Sequence, residues 1–119
     1  MNSTTNPQPL FPLGHCCMTP GIQELIEQYQ FPIADYIHRH QIGDWGELSA
    51  EDQQENALSL REGYRILSAY CFAPNAEFST KVWIITEADR SSTTVLLPSE
   101  YYTRRGQGCG KCKCYNATI

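Results

Sequence analysis

The clearest hydrophobic and polar pattern of the chain lies between residues 82 and 97, where two apolar runs flank a polar segment. Val82–Thr86 and Thr93–Leu97 are rich in β-branched residues, and Glu87–Ser92 between them is charged and rich in hydroxyls. Such an arrangement is typical of an antiparallel hairpin. Both alternating faces of the first run are apolar. This predicts a central strand, covered by helices on one side and by the tail or a partner on the other.

Two further segments have the pattern of strands. Tyr64–Phe72 alternates with a period of two, which predicts the strand before the hairpin, and Ala73–Thr80 is expected to be a turn or small loop. Leu10–Met18 is a short apolar run that predicts a first strand. Pro12 within this run favours an edge position or the start of a strand.

A helix is predicted directly after the first strand. Thr19 and Pro20 suit the N-cap and the first helical position. The apolar residues that follow recur at helical spacing and form one buried stripe. They are Ile22, Leu25, Ile26 and Tyr29.

Two more helices are expected before the sheet resumes. Ile33–His40 follows a proline and stops before the glycine-containing turn at 43–46. The third helix starts at Ser49 in a capping-box pattern, ends near Gly63 and has a mostly polar, surface-type face. The predicted fold is therefore α+β: a short edge strand, two to three helices, then a three-stranded antiparallel meander.

The length of 119 residues suits one domain with one core. We expect a disordered lead-in at 1–9, a single α+β domain at 10–101 and a flexible, basic, cysteine-rich tail at 102–119. No apolar run approaches the roughly 20 residues that span a membrane, and the N-terminus lacks the pattern of a signal peptide. The expected location is the cytoplasm, without membrane contact.

Charge is distributed unevenly along the chain. Residues 1–100 carry all thirteen acids and five bases, a net charge of −8, whereas residues 101–119 carry four bases and no acid. Because phosphate contacts dominate the affinity of proteins for nucleic acid, the acidic body argues against nucleic acid as its partner.

Two polar turns are candidates for binding. Glu87, Asp89 and Arg90 at the hairpin tip could form an acid/base or anion site, but a turn held by local hydrogen bonds is favoured. Asp44 and Trp45 lie between two glycines. They could anchor an interface, although a core tryptophan under a loop is favoured. No residue is predicted to be catalytic.

Histidines and cysteines supply the remaining candidate chemistry. His38 and His40 are two residues apart on a helix, point in different directions and are expected on the surface. Cys71, on a strand, is expected to be a small buried apolar residue.

Three thiols lie within six residues of the tail. Cys109, Cys112 and Cys114 could bind zinc, with a fourth ligand from the His15–Cys17 segment if the first strand passes nearby. Redox or disulfide chemistry is the alternative, and a flexible tail with incidental thiols is favoured over both. No cofactor is expected by default, with zinc as the exception to test.

Several motifs carry a resemblance. They are L-F-P-L-G at Leu10–Gly14, T-P-G at Thr19–Gly21, G-D-W-G-E-L at Gly43–Leu48, R-I-L-S-A-Y at Arg65–Tyr70 and the long Val82–Tyr101 segment. Over about Leu10 to Tyr101 the chain resembles a family of small bacterial proteins labelled plasmid-related, some of them labelled type I restriction subunits. The resemblance implies residence on a plasmid or other mobile element and brings no activity, cofactor or catalytic residue. The cysteine tail lies outside it.

Three functions follow as hypotheses. The leading one is a non-catalytic accessory protein of a mobile element that binds another protein, with a homodimer as one form of that binding. The order of strand, helices and strands is also similar to the ribosome-dependent ribonuclease toxins of the RelE type, which here would act through Glu87, Asp89 and Arg90. The third is a small zinc-binding module built on the tail.

Overall fold

Five strands form one mixed sheet in the computed structural model, which describes residues 8–101 and 113–114. The elements in chain order are β1 (His15–Met18), α1 (Pro20–Tyr29), α2 (Ile33–Gln41), α3 (Ala50–Glu62), β2 (Ile66–Asn75), β3 (Phe78–Thr86), β4 (Ser92–Leu96) and β5 (Lys113–Cys114). A single helical turn at 98–101 follows β4. The predicted α+β class is confirmed. The proposed lead-in and tail lie outside the described residues, apart from residues 8 and 9 and β5.

The sheet has the strand order β2-β3-β4-β1-β5. Its first three strands form the predicted antiparallel meander, with β3 in the predicted central position. β1 then pairs with β4 in parallel, so the sheet is mixed. β5 pairs antiparallel with β1 on its other side. The prediction that the first strand lies at the edge is therefore wrong, because β5 covers it.

The first strand is also shorter than its apolar run, since it begins only at His15. Gly14 precedes it with a φ of +67°, and a Cβ atom at Gly14 would collide with the backbone carbonyls of Arg90 and Ser91. This close approach lets His15 N donate to Ser91 O at 2.9 Å, which starts the parallel pairing with β4. A glycine is therefore required where the loop becomes a strand.

The hairpin between β2 and β3 is tighter than predicted. β2 continues to Asn75 and β3 begins at Phe78, so most of the proposed loop at Ala73–Thr80 is strand. Asn75 Oδ1 accepts a hydrogen bond from Glu77 N at 2.8 Å, and this local bond makes a short turn. The rings of Phe78 and Tyr29 stack with centroids 4.4 Å apart, which holds the extended end of the hairpin on α1.

One face of the sheet packs on α1 and α2 to form the main core. Its buried residues come from both helices, the Phe31 connection and three strands. They are Ile22, Leu25, Phe31, Ile33, Ile37, Tyr70, Phe72, Val82, Ile84 and Val95. A smaller cluster of Phe11, Trp45 and Ile66 adjoins it. The amphipathic stripe predicted for α1 is thus part of the core.

The helix ends follow local signals, with one difference. Ser49 Oγ accepts from Asp52 N at 3.1 Å at the start of α3, and Gly63 closes that helix with a φ of +81°, as predicted. Thr19 takes the N-cap position of α1 without capping it through its side chain. Glu100 does so instead, because its carboxylate accepts from Gly21 N at 2.9 Å and from the Thr19 hydroxyl.

Candidate functional site

The hairpin tip between β3 and β4 is a tight turn whose polar groups mostly bond one another. Glu87 N donates to Ser92 O at 3.0 Å, and Arg90 N donates to Glu87 O at 2.9 Å. Asp89 is exposed and its Oδ1 accepts from Ser91 N at 3.0 Å. Hydrogen bonds from Ser91 lower the pKa of the Asp89 carboxyl group. The hairpin tip therefore forms the turn held by local hydrogen bonds that the sequence favours.

The Arg90 side chain points back from the tip and bonds backbone carbonyls. Its Nη1 donates to Tyr64 O at 2.7 Å, and to Glu87 O and Ala88 O at 3.1 and 3.2 Å. Its Nη2 donates to Ser59 O at 2.9 Å, near the C-terminal end of α3. A guanidinium placed there satisfies helix-end carbonyls and the negative end of the helix dipole. The contacts of Arg90 thus fasten the hairpin tip to α3.

Asp44 and Trp45 lie in the turn after α2 and differ in exposure. Trp45 is 8% exposed and packs with Phe11 and Ile66. Within the described part of the chain its buried Nε1 has no hydrogen-bond partner. Asp44 lies nearer the surface and pairs with Arg39 at 2.7 Å, which lowers the pKa of its carboxyl group. The favoured interpretation of Trp45 as a core residue matches this position.

A chain of hydrogen bonds lies between α2 and the sheet. His40 is fully buried, with Nδ1 2.6 Å from Ser68 Oγ and Nε2 2.9 Å from Thr86 Oγ1. Thr86 Oγ1 is 2.7 Å from Thr93 Oγ1, which donates to Leu13 O at 2.8 Å. Since the last acceptor is a carbonyl, the Thr93 hydroxyl accepts from Thr86. His40 then donates through Nε2 and accepts from Ser68 through Nδ1.

This network corrects the predicted surface position of His40. Burial lowers the pKa of the imidazole to about 3, so the ring is neutral at neutral pH. Ile33, Ile37 and His40 follow one another at helical spacing and are the buried residues of α2. That spacing is the signal that would have predicted its burial, whereas His38 is exposed as expected.

The outer edge of β2 is covered along its first half. Leu67 N donates to Asn56 Oδ1 at 3.1 Å, and Asn56 Nδ2 donates to Leu67 O at 2.6 Å. Two residues later, Ala69 N donates to Trp45 O at 3.1 Å and Glu47 N donates to Ala69 O. The Asn56 side chain and the turn that contains Trp45 and Glu47 thus hydrogen-bond the backbone groups that an edge strand otherwise leaves without partners.

No described residue covers the second half of the same edge. Outward backbone groups alternate along a strand, so Cys71 is the next outward position after Leu67 and Ala69. Nothing within 8–101 or 113–114 bonds the outward N–H or C=O of Cys71. The Cys71 side chain is exposed, which corrects its predicted burial, because it lies on the face opposite α1 and α2. Residues 73–75 are exposed as well.

A shallow groove of about 360 Å³ lies between α3 and the start of β2. Asp52 and Glu55 line one side, and Tyr64 and Arg65 line another. Arg65 is half exposed and its Nη2 lies 3.2 Å from Glu87 Oε1. The groove therefore carries charges of both signs, and its arginine is already paired.

The predicted zinc ligands fall mostly outside the described residues. Cys109 and Cys112 lie there, whereas Cys114 belongs to β5 and is paired in register with Cys17 of β1. The first strand therefore does pass beside the tail. In the described ranges no group of three His, Cys, Asp or Glu residues is placed to hold a metal ion. The zinc site stays a prediction.

Comparisons with known proteins add no identification. The chain matches no protein-family model, no curated protein and no solved structure. None of the described helices is both long and apolar enough to cross a membrane.

Proposed function

We propose that the chain is a non-catalytic accessory protein that binds another protein by strand addition at β2. An extended segment of the partner would pair with the open edge at Cys71. Main-chain hydrogen bonds supply the affinity in such complexes, and alternate side chains supply the specificity. The open half-edge is the observation that carries this proposal.

The difference between the two halves of the β2 edge supports strand addition. Asn56, Trp45 and Glu47 bond the outward groups at Leu67 and Ala69, so among the described residues only the part of the edge at Cys71 is left available. Folded proteins usually cover or shorten exposed edges because open ones recruit other chains. A strand that is covered in its first half and open in its second offers a defined register to a partner.

Charge favours a basic partner segment. Residues 1–100 carry a net charge of −8. Near the open edge Glu77 is exposed, and Lys81 is already paired with Glu47 at 2.5 Å. A basic segment would therefore be attracted by the long-range field of the body, which raises its rate of association.

The polar clusters described above support a binding role rather than a catalytic one. Arg90 bonds backbone carbonyls, Glu100 caps α1 and His40 bonds Ser68 and Thr86 inside the core. Each of these contacts stabilises the fold. The mobile-element setting is supported by the motif resemblance, and the identity of neighbouring genes tests it.

Peptide selection on the immobilised full-length chain tests the strand addition. We expect the selected peptides to be basic and extended, and to protect the Cys71 amide from hydrogen exchange. Cys71→Pro removes the outward N–H without breaking the ladder to β3, since proline is tolerated on the open side of an edge strand. It should weaken peptide binding about tenfold, whereas Cys71→Ala should change it less than about twofold.

Two results would contradict the proposal. Selected peptides that bind Cys71→Pro as well as wild type would show that the edge is not used. Size exclusion with light scattering could instead reveal a dimer that protects the Cys71 amide. That result would make a second copy of the chain, rather than a different protein, the occupant of the edge.

A further inference from the structure

The stripe of α3 that lines the groove beside β2 is polar, whereas the inward stripe of a surface helix is usually apolar. Asp52, Glu55, Asn56 and Ser59 follow one another at the spacing i, i+3, i+4 and i+7, so they share one face of the helix. All four line the groove. The buried residues of α3, Asn56 and Ser59, both belong to this stripe. One side of the groove is therefore built from hydrogen-bonding groups.

Three of the groups in the groove have no partner within residues 8–101 and 113–114. Asp52 and Glu55 are exposed, and neither carboxylate forms an ion pair in these ranges. Ser59 is only 4% exposed, and its hydroxyl makes no hydrogen bond to a described residue. Among the described residues, Trp45 Nε1 is the one fully enclosed side-chain N or O atom without a partner, so the Ser59 hydroxyl opens onto the groove. A cation with several donors would satisfy all three groups.

An exposed aromatic ring lies on the other side of the groove. Tyr64 is 54% exposed, and its backbone is held in place by Arg90. Arg90 Nη1 donates to Tyr64 O at 2.7 Å and Arg90 Nη2 donates to Ser59 O at 2.9 Å. Leu48 and Leu67 add apolar surface to the lining. The backbones of Tyr64 and Ser59 are thus fixed relative to each other before a ligand arrives, which lowers the cost of binding.

We infer that this groove binds an arginine side chain of a partner protein. The flat guanidinium stacks on the exposed ring of Tyr64, whose face attracts a cation. Its fork of N–H donors matches a carboxylate, which Asp52 and Glu55 provide, and a further donor reaches Ser59 Oγ. The aliphatic stem packs on the apolar part of the lining.

Arginine suits the groove better than lysine. A lysine ammonium is a compact point charge that neither stacks on a ring nor bonds a carboxylate through two parallel donors. Arg65, the cation in the lining, is already paired with Glu87 at 3.2 Å, so two carboxylates remain to attract the ligand. The groove does not include the β2 edge at Cys71, and binding here does not rest on strand addition.

Amide chemical shifts of the isotope-labelled full-length protein, titrated with short peptides, test the site. The peptides have the sequence Gly-X-Gly with blocked ends, where X is arginine, lysine or citrulline, the neutral analogue of arginine. We expect saturable shifts at Ser59 and Tyr64 with the arginine peptide. The lysine peptide should bind about threefold more weakly, and the citrulline peptide should give no saturable shift.

Variants of the chain separate the groove from general attraction to the acidic body. Glu55→Gln removes one carboxylate of the groove and should weaken the arginine peptide about fivefold. Glu51→Gln is the matched control, because it changes the net charge equally on an exposed residue of the same helix outside the lining. It should change the affinity less than about twofold. Tyr64→Leu keeps an apolar side chain without the ring and should weaken binding about threefold.

Several results would overturn the inference. Equal losses in Glu55→Gln and Glu51→Gln would show that the peptide is attracted by the charge of the body and not by the groove. Equal affinities of the arginine and lysine peptides would remove the basis for arginine. Shifts centred on Cys71 would place the peptide on the β2 edge instead, and the absence of saturable shifts would mean that the groove binds no arginine.

Discussion

A neutral, fully buried histidine makes the stability of this protein depend on pH. The pKa of His40 falls from its ordinary 6.5 to about 3 on folding. Between these values the unfolded chain binds a proton that the folded chain does not, so acid favours unfolding. The contribution to the unfolding free energy is complete above pH 6.5 and decreases as the pH falls toward 3, by about 5 kcal/mol in total.

Urea unfolding between pH 7 and pH 4 measures this effect. His40→Gln removes the titrating ring and should flatten the dependence of unfolding free energy on pH by about 1 kcal/mol per pH unit. His38→Gln, on an exposed side chain of the same helix, should leave the slope unchanged. Equal slopes for wild type and His40→Gln would show that the imidazole does not titrate as its burial requires.

At the scale of single residues, the hydrophobic and polar pattern predicts which side chains are buried better than it predicts their hydrogen-bond partners. Trp45 lies in the core, as its sequence context predicts. The spacing from Ile33 to His40 contains the signal for a buried histidine. The partners of His40 come from two strands, and no spacing within one segment relates Ser68 to Thr86. Only the register of the sheet brings them together.

At the scale of elements, α3 acts as the cover of a sheet edge. Asn56 makes two hydrogen bonds to the backbone of Leu67 and is 4% exposed. Asn56→Ala leaves one N–H and one C=O without their partner and should lower the unfolding free energy by about 2–3 kcal/mol. Gln54→Ala, on the exposed side of the same helix, is the matched control. Equal stability of the two variants in urea would mean that water replaces Asn56 without loss.

Local signals explain which elements could be predicted. Ser49 and Gly63 mark the ends of α3 because each acts within one helical turn, and the central position of β3 follows from its two apolar faces. The parallel pairing of β1 with β4 depends on the approach of Gly14 to Arg90 and Ser91, which are distant in sequence. A pattern read along one segment does not contain that contact.

At the scale of the whole molecule, a strand late in the sequence, β5, pairs with a strand early in the sequence, β1. Alternation directs the amide of Met18 toward β5 and the amide of Cys17 toward β4. Removing residues 102–119 should keep the fold cooperative, since the two core clusters lie within residues 11–97. It should also speed hydrogen exchange at Met18 by about tenfold or more, with much less change at Cys17. Neighbouring amides of one strand thus act as probe and control. Unchanged exchange at Met18 would show that β5 does not protect β1, and the register that opposes Cys17 to Cys114 would lose its basis.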